Sequence, residues 1–135
     1  WLAFLEAPSP DRVRSFVLNG LRNGMTQFVA VDEGRVVGWC DVNPKTHAAL
    51  RHSGVLGMGV AASYRGQGVG SALLLATLEA ASARGITRVE LVVRADNAAA
   101  IRLYERNGFE LEGRLRDYMI VDGVAHDALA MALRK

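Results

Sequence analysis

The spacing of hydrophobic and polar positions changes period several times along this chain. Val13, Phe16, Val17 and Leu21 recur at helical spacing. Ser9-Pro10-Asp11 ahead of them reads as a helix start, with serine at the N-cap, proline at the first helical position and an acid in the first turn. Gly24 would end this helix, and a shorter helical piece is expected over Trp1 to Glu6. Strand patterns follow. Gln27 to Val31 and Arg35 to Val42 predict a hairpin around Asp32-Glu33-Gly34. Asn43 to Ser53 is polar and is expected to be an irregular loop. Val55 to Val60 is apolar along its length, as a central strand would be.

Val69, Ala72, Leu73, Ala76 and Ala80 fall on one face of a helix predicted over Gly68 to Arg84, which Gly85 stops. Arg88 to Val93 predicts a further strand. The passage from Val60 through the helix into that strand has the form of a parallel βαβ crossover. A second helix is predicted over Asn97 to Asn107, capped by Asn97 and closed by Gly108. Phe109 to Ile120 and Ala125 to Leu133 predict two last strands joined at Asp122-Gly123. The sequence holds no repeat or low-complexity segment, so one α/β domain over residues 1–135 is expected.

Composition narrows the function classes. The chain has 135 residues, half of them hydrophobic and 22% charged, which is ordinary for a soluble domain with one core. Its net charge is +2, and Lys45 and Lys135 are its only lysines. The arginines are scattered, so a nucleic-acid stripe is not indicated, and the mild positive balance suits a polyanionic ligand. Cys40 is the only cysteine, which excludes an internal disulfide and a four-cysteine zinc site. It reads as a small apolar strand residue, and a reducing cytoplasm is expected. The longest apolar run, Ala72 to Leu78, is far short of the roughly 20 residues that span a bilayer. The chain begins with Trp1 and not Met, so residues are expected to be missing from its N-terminus; no signal-peptide layout is visible.

The chemistry concentrates in Arg65-Gly66-Gln67-Gly68-Val69-Gly70, between a predicted strand and a long helix. Three glycines let the backbone approach a ligand and aim successive N–H groups at one point. The helix start adds partial positive charge and Arg65 a full one, so a pyrophosphate fits. A P-loop is excluded, because no Gly-Lys-Ser/Thr closes the segment. Gly57-x-Gly59-x-x-Ala62 matches a dinucleotide fingerprint in letters, but it begins inside a strand and lacks the following acid. Taken alone, the glycines also suit a tight turn. Asn97 and Tyr104 lie seven residues apart, nearly two turns, and so share one helix face. On spacing alone Tyr104 suits the core and Asn97 suits a cap.

Together, the Arg65–Gly70 segment and Asn97-Ala98-Ala99-Ala100-Ile101-Arg102-Leu103-Tyr104-Glu105-Arg106-Asn107-Gly108-Phe109 resemble the GNAT N-acetyltransferases. The resemblance runs from about Val55 to the C-terminus and more weakly back to Gln27. It implies a mixed, twisted sheet flanked by helices, with two central parallel strands splayed to admit acetyl-CoA. It implies that backbone groups of Met58, Gly59 and Val60 pair with the pantetheine arm. Arg65, Gly66, Gln67, Gly68, Val69, Gly70 and Ser71 would bind the pyrophosphate, Asn97 would touch the cofactor arm, and Tyr104 would protonate the departing thiolate. Transfer would be direct, with no metal and no acyl-enzyme on Cys40.

An alkyl ammonium must lose a proton before it can attack a thioester. Two bases are in view. Glu90 lies on the fourth strand, two residues before Val92, which occupies the position of a glutamate that some GNAT enzymes carry. A solvated strand-edge acid explains Glu90 as well. His52, in Arg51-His52-Ser53-Gly54-Val55-Leu56-Gly57-Met58, resembles a His-x-Gly-x-Leu-Gly entry in a related branch, and an imidazole suits base work near neutral pH. His47 and His126 read as surface residues, and a water chain needs no single base. The run Glu112-Gly113-Arg114-Leu115-Arg116-Asp117-Tyr118 resembles the branch acting on small amines or amino acids. There Arg114 and Arg116 would hold a carboxylate or simply face solvent. The implied activity is acetyl transfer to a small-molecule amine or amino acid, with no nucleic-acid or membrane partner and with homodimerisation allowed. Protein N-terminal acetylation and non-catalytic acyl-CoA sensing are the alternatives.

Overall fold

In a computed structural model the described residues are 2–6, 16–22 and 25–135, the first two segments by their backbone. Strands β1 (Leu2–Glu6), β2 (Phe16–Arg22), β3 (Met25–Asp32), β4 (Arg35–Pro44) and β5 (Ser53–Val60) precede helix α1 (Val69–Ala83). Strand β6 (Arg88–Arg94), helix α2 (Ala98–Arg106) and strands β7 (Glu110–Val121) and β8 (Val124–Arg134) complete the chain. Two compact units result, Trp1–Ile86 and Thr87–Lys135.

In the first unit the strands run in sequence order from β1 to β5, each antiparallel to the next. Two sequence expectations fail here. Leu2–Glu6 is a strand and not a helical piece, and Phe16–Arg22 is a strand and not a helix. The remainder of that expected helix, 9–15, lies outside the described residues. Phe16 pairs with Val31 and Arg22 with Met25, so β2 folds straight back onto β3. Backbone pairing along both edges of β2 outweighs a helix pattern that contains Asn19 and Gly20, both poor helix formers.

Strand β3 alternates strictly, with Thr26, Phe28, Ala30 and Asp32 buried. Glu33 and Gly34 both take positive φ, 48° and 78°, as a two-residue hairpin turn requires. Strand β4 carries a bulge: Ala30 pairs with Gly38 and Val31 with Val36, leaving Val37 as the extra residue. Its carbonyl accepts from the Ala61 N–H. The expected loop after Val42 is more ordered than its polarity suggests. Asn43 and Pro44 extend β4, His47 caps a short 3-10 turn at Ala48–Leu50, and Ser53 begins β5.

Helix α1 packs on the face of β3 and β4 that carries Phe28, Ala30, Cys40 and Val42. Leu73, Leu74, Leu78 and Ala81 fill the interface. Gly38 lies directly beneath the helix, where a Cβ would come 2.9 Å from Leu73 Cδ1. Fully buried Thr77 donates its hydroxyl to Leu73 O at 2.7 Å, beside the buried Cys40 thiol. The helix ends as its sequence predicts: Gly85 is left-handed at φ 91° and Ile86 N–H reaches back to Ala81 O.

In the second unit β8 lies between β6 and β7, antiparallel to both. Val89, Leu91, Val93, Phe109, Ala128, Met131 and Ala132 are buried, with Tyr104 of α2 among them. Asp122 and Gly123, at φ 51° and 76°, turn β7 into β8. Register shifts break β7 at Leu111–Gly113 and again at Leu115–Met119.

Candidate active site

The expected pyrophosphate loop opens α1. A 3-10 turn at Ala62–Tyr64 leads from β5 into it. Gly66 and Gly68 take φ values of 74° and 81°, which other residues adopt only with strain. The loop is held from within: Arg65 Nε donates to Val60 O at 3.3 Å, and Gln67 Nε2 donates to Ser63 O at 2.9 Å. Gly68 is the N-cap, so no side chain caps the helix. The first helical N–H to find an acceptor is that of Ala72, on Gly68 O. The amides of Val69, Gly70 and Ser71 ahead of it therefore have no helical partner, at the end of the helix where the peptide dipoles favour an anion. This arrangement fits a pyrophosphate.

Met58, Gly59 and Val60 form the end of β5, opposite Cys40, Trp39 and Gly38 of β4. His52 is exposed, in the turn immediately before β5. Cys40 is wholly buried against Thr77, and burial pushes its thiol up to about 12. A thiol so placed is not a nucleophile at neutral pH.

Glu90, Asn97 and Tyr104 belong to the second unit. Asn97 caps α2, its Oδ1 accepting from Ala100 N–H at 3.2 Å, while its Nδ2 donates to no described residue. Tyr104 is buried and its ring packs on Phe109, with centroids 5.6 Å apart. Glu90 is not a lone carboxylate: Arg88 Nε donates to it at 3.1 Å while the same guanidinium grips both oxygens of Glu112. Arg114, expected to face either a substrate or solvent, binds Asp127 at 2.8 Å. Asp127 also accepts from the Asp117 N–H, at the register shift where Asp117 has φ 52°. Both partners hold the Asp127 carboxyl below its ordinary range, the backbone N–H most strongly.

Sequence reading passed over one local cluster. Trp39 lies across Gly57 and Gly59, and the Asp41 carboxylate sits beside it, above Gly57. The signal was present as Trp39-x-Asp41 and Gly57-x-Gly59, each on one face of its strand. Among the described residues no group of His, Cys, Asp or Glu is arranged to hold a metal ion, and no helix is long and apolar enough to cross a membrane.

The profile of the acetyltransferase (GNAT) family matches residues 2–109. The chain is 35% identical over 112 residues to the L-amino acid N-acetyltransferase AaaT of Escherichia coli K12, covering 82% of this chain and 69% of that protein. Its structure is similar to that of a ribosomal-protein-alanine N-acetyltransferase from Brucella melitensis, with a TM-score of 0.78 and 35% identity, over 84% of this chain and 71% of the other. It is also similar to a phosphinothricin acetyltransferase from Sinorhizobium meliloti in complex with AcCoA, with a TM-score of 0.77 and 27% identity, over 83% of this chain and 62% of the other. The expected α/β fold is the fold of these enzymes. The profile spans most of the sequence and a relative 35% identical is matched over 82% of it, so this protein belongs to the acetyltransferase (GNAT) family.

Proposed function

We propose that this protein transfers the acetyl group of acetyl-CoA to the amine of an amino acid or related small molecule. The observation that carries this reading is the uncapped start of α1 behind a loop with two left-handed glycines. Amides of Gly66 to Ser71, with Arg65 beside them, would hold the pyrophosphate. The same site would continue along the half-buried end of β5, where Met58, Gly59 and Val60 align the pantetheine arm. The donor Nδ2 of Asn97 serves that arm while its Oδ1 caps α2.

Acetyl-CoA supplies an activated acyl thioester. The chain's own residues handle protons and charge. His52 takes the proton from the acceptor ammonium, with Glu90 acting through water as the alternative acceptor. A backbone N–H near Val60 donates to the carbonyl oxygen as charge develops on it. The Tyr104 hydroxyl gives its proton to the departing sulfur. Cys40 takes no part, because its thiol is buried and protonated.

The named relatives support an amino-acid nitrogen as acceptor: one is an L-amino acid N-acetyltransferase, the other a ribosomal-protein-alanine N-acetyltransferase. The second relative favours peptide N-termini as an alternative acceptor class. The reading takes residues 1–135 as one catalytic domain working in the cytoplasm. Thiol release from acetyl-CoA over a panel of amines, amino acids and N-terminal peptides tests it. Turnover greatest with free amino acids is expected. Silence across the panel despite tight CoA binding would overturn it in favour of a sensor.

A further inference from the structure

Trp39 is 40% exposed although β4 is an inner strand of its unit. Its neighbour Gly38 faces α1, so alternation sends the indole to the opposite face of the sheet. There it lies along β5. A Cβ on Gly59 would come 2.9 Å from the indole Nε1, and one on Gly57 would come 3.2 Å from Cζ3. Glycine at both positions lets the ring lie down on the backbone. Two glycines weaken a strand, so their placement under one ring marks a surface shaped for close approach.

Beside the ring stands Asp41. A Cβ on Gly57 would lie 3.3 Å from its Oδ1, so ring and carboxylate share the space above that glycine. Asp41 is half-buried above Gly57, yet no described Lys, Arg or His pairs with it. Burial without a cation raises its pKa. An electron-rich ring face and an uncompensated carboxylate side by side complement one kind of group. That group is an ammonium, which the ring attracts by its quadrupole and the carboxylate by a charge-assisted hydrogen bond.

We propose that Trp39 and Asp41, on the platform of Gly57 and Gly59, form the subsite that receives the ammonium group of the acceptor. The inference rests on the acetyl-transfer reading above and adds its substrate class. Acceptors are aliphatic amines that arrive as cations. Amines that are neutral in water, such as arylamines, lack the charge this pair recognises.

The test uses Trp39 as its own reporter. Trp1 is the only other tryptophan, so Trp1→Phe leaves Trp39 as the sole indole emitter. L-alaninamide is the probe, and propionamide is the same skeleton without the ammonium. A saturable change in emission with L-alaninamide and none with propionamide is expected. Asp41→Asn should weaken that binding by roughly tenfold or more, the scale of a lost hydrogen bond to a charged group. It should raise KM for an aliphatic acceptor alike and leave KM for acetyl-CoA unchanged. Trp39→Phe, which keeps an aromatic ring, should weaken binding less than Trp39→Leu. Unaltered probe binding in Asp41→Asn, or an equal response to propionamide, would overturn the subsite. Absent acetyl transfer would sink the enzymatic reading but not the binding result. Transfer with unaltered acceptor KM in Asp41→Asn would sink the subsite alone.

Discussion

The ring of Tyr104 tilts 58° against that of Phe109, with centroids 5.6 Å apart. Packing therefore fixes the ring, and removing the hydroxyl alone leaves that contact in place. Tyr104→Phe should keep the packing and lower kcat by on the order of a hundredfold, the scale of one general acid. The dissociation constant for CoA should barely move. Steady-state kinetics and calorimetry together check this, and unchanged kcat removes Tyr104 from the proton path.

Gly68 closes the loop that we propose holds the pyrophosphate, at φ 81°. A Cβ there meets no atom within 4 Å, so the penalty for alanine is conformational alone. Gly68→Ala should cost about 1–2 kcal/mol of stability. It should also weaken acetyl-CoA binding, because the α1 amides lose their alignment. A thermal melt and a binding isotherm measure the two effects. Loss of stability with full affinity would place the pyrophosphate elsewhere.

Cys40 should resist thiol reagents in the folded protein. Its thiol is buried and pushed up to about 12, so almost no thiolate exists at pH 8. Labelling should follow unfolding, and Cys40→Ala should retain turnover. Rapid labelling of the native protein would show that α1 lifts from β4 readily.

Asp127, Glu112 and Asp96 all have carboxyl pKa values lowered in the fold, Asp127 first by the Asp117 N–H and the other two first by arginine hydrogen bonds. A carboxylate whose folded pKa is depressed stabilises the fold above its unfolded value, about 4. That contribution is lost as pH falls through the lower folded value. Urea midpoints should therefore drop below about pH 4, and Asp127→Asn should flatten the acid limb of the profile. An unaltered acid limb in the variant would remove Asp127 from the set.

Glycine punctuation made much of this fold legible. Gly68, Gly85, Gly108 and Gly123 bound elements in sequence and take positive φ in the structure. Such signals are local, so the caps of α1 and α2 fall where they are expected. Phe16–Arg22 was misread because its apolar spacing suits a helix while its pairing is non-local.

The same division runs through the site. The proposed phosphate loop is a backbone device within six residues and can be read as a string. Glu90 needed more: Arg88 shares its strand face two residues away, but Glu112 arrives only through β7 and β8. Trp39 and Asp41 meet Gly57 and Gly59 through the register of two strands.

The bulge at Val37 places a constraint on heredity. Val37 has no partner on β3, so a single-codon deletion there leaves Ala30 opposite Gly38 and Val31 opposite Val36 as neighbouring regular pairs, and Trp39 and Asp41 keep their face. The same deletion at a paired residue between Gly38 and Val42 sets one side of the strand out of step with its partners and turns side chains to the wrong face. Natural length variants of β4 should therefore cluster at position 37 and be scarce along the paired stretch that follows it.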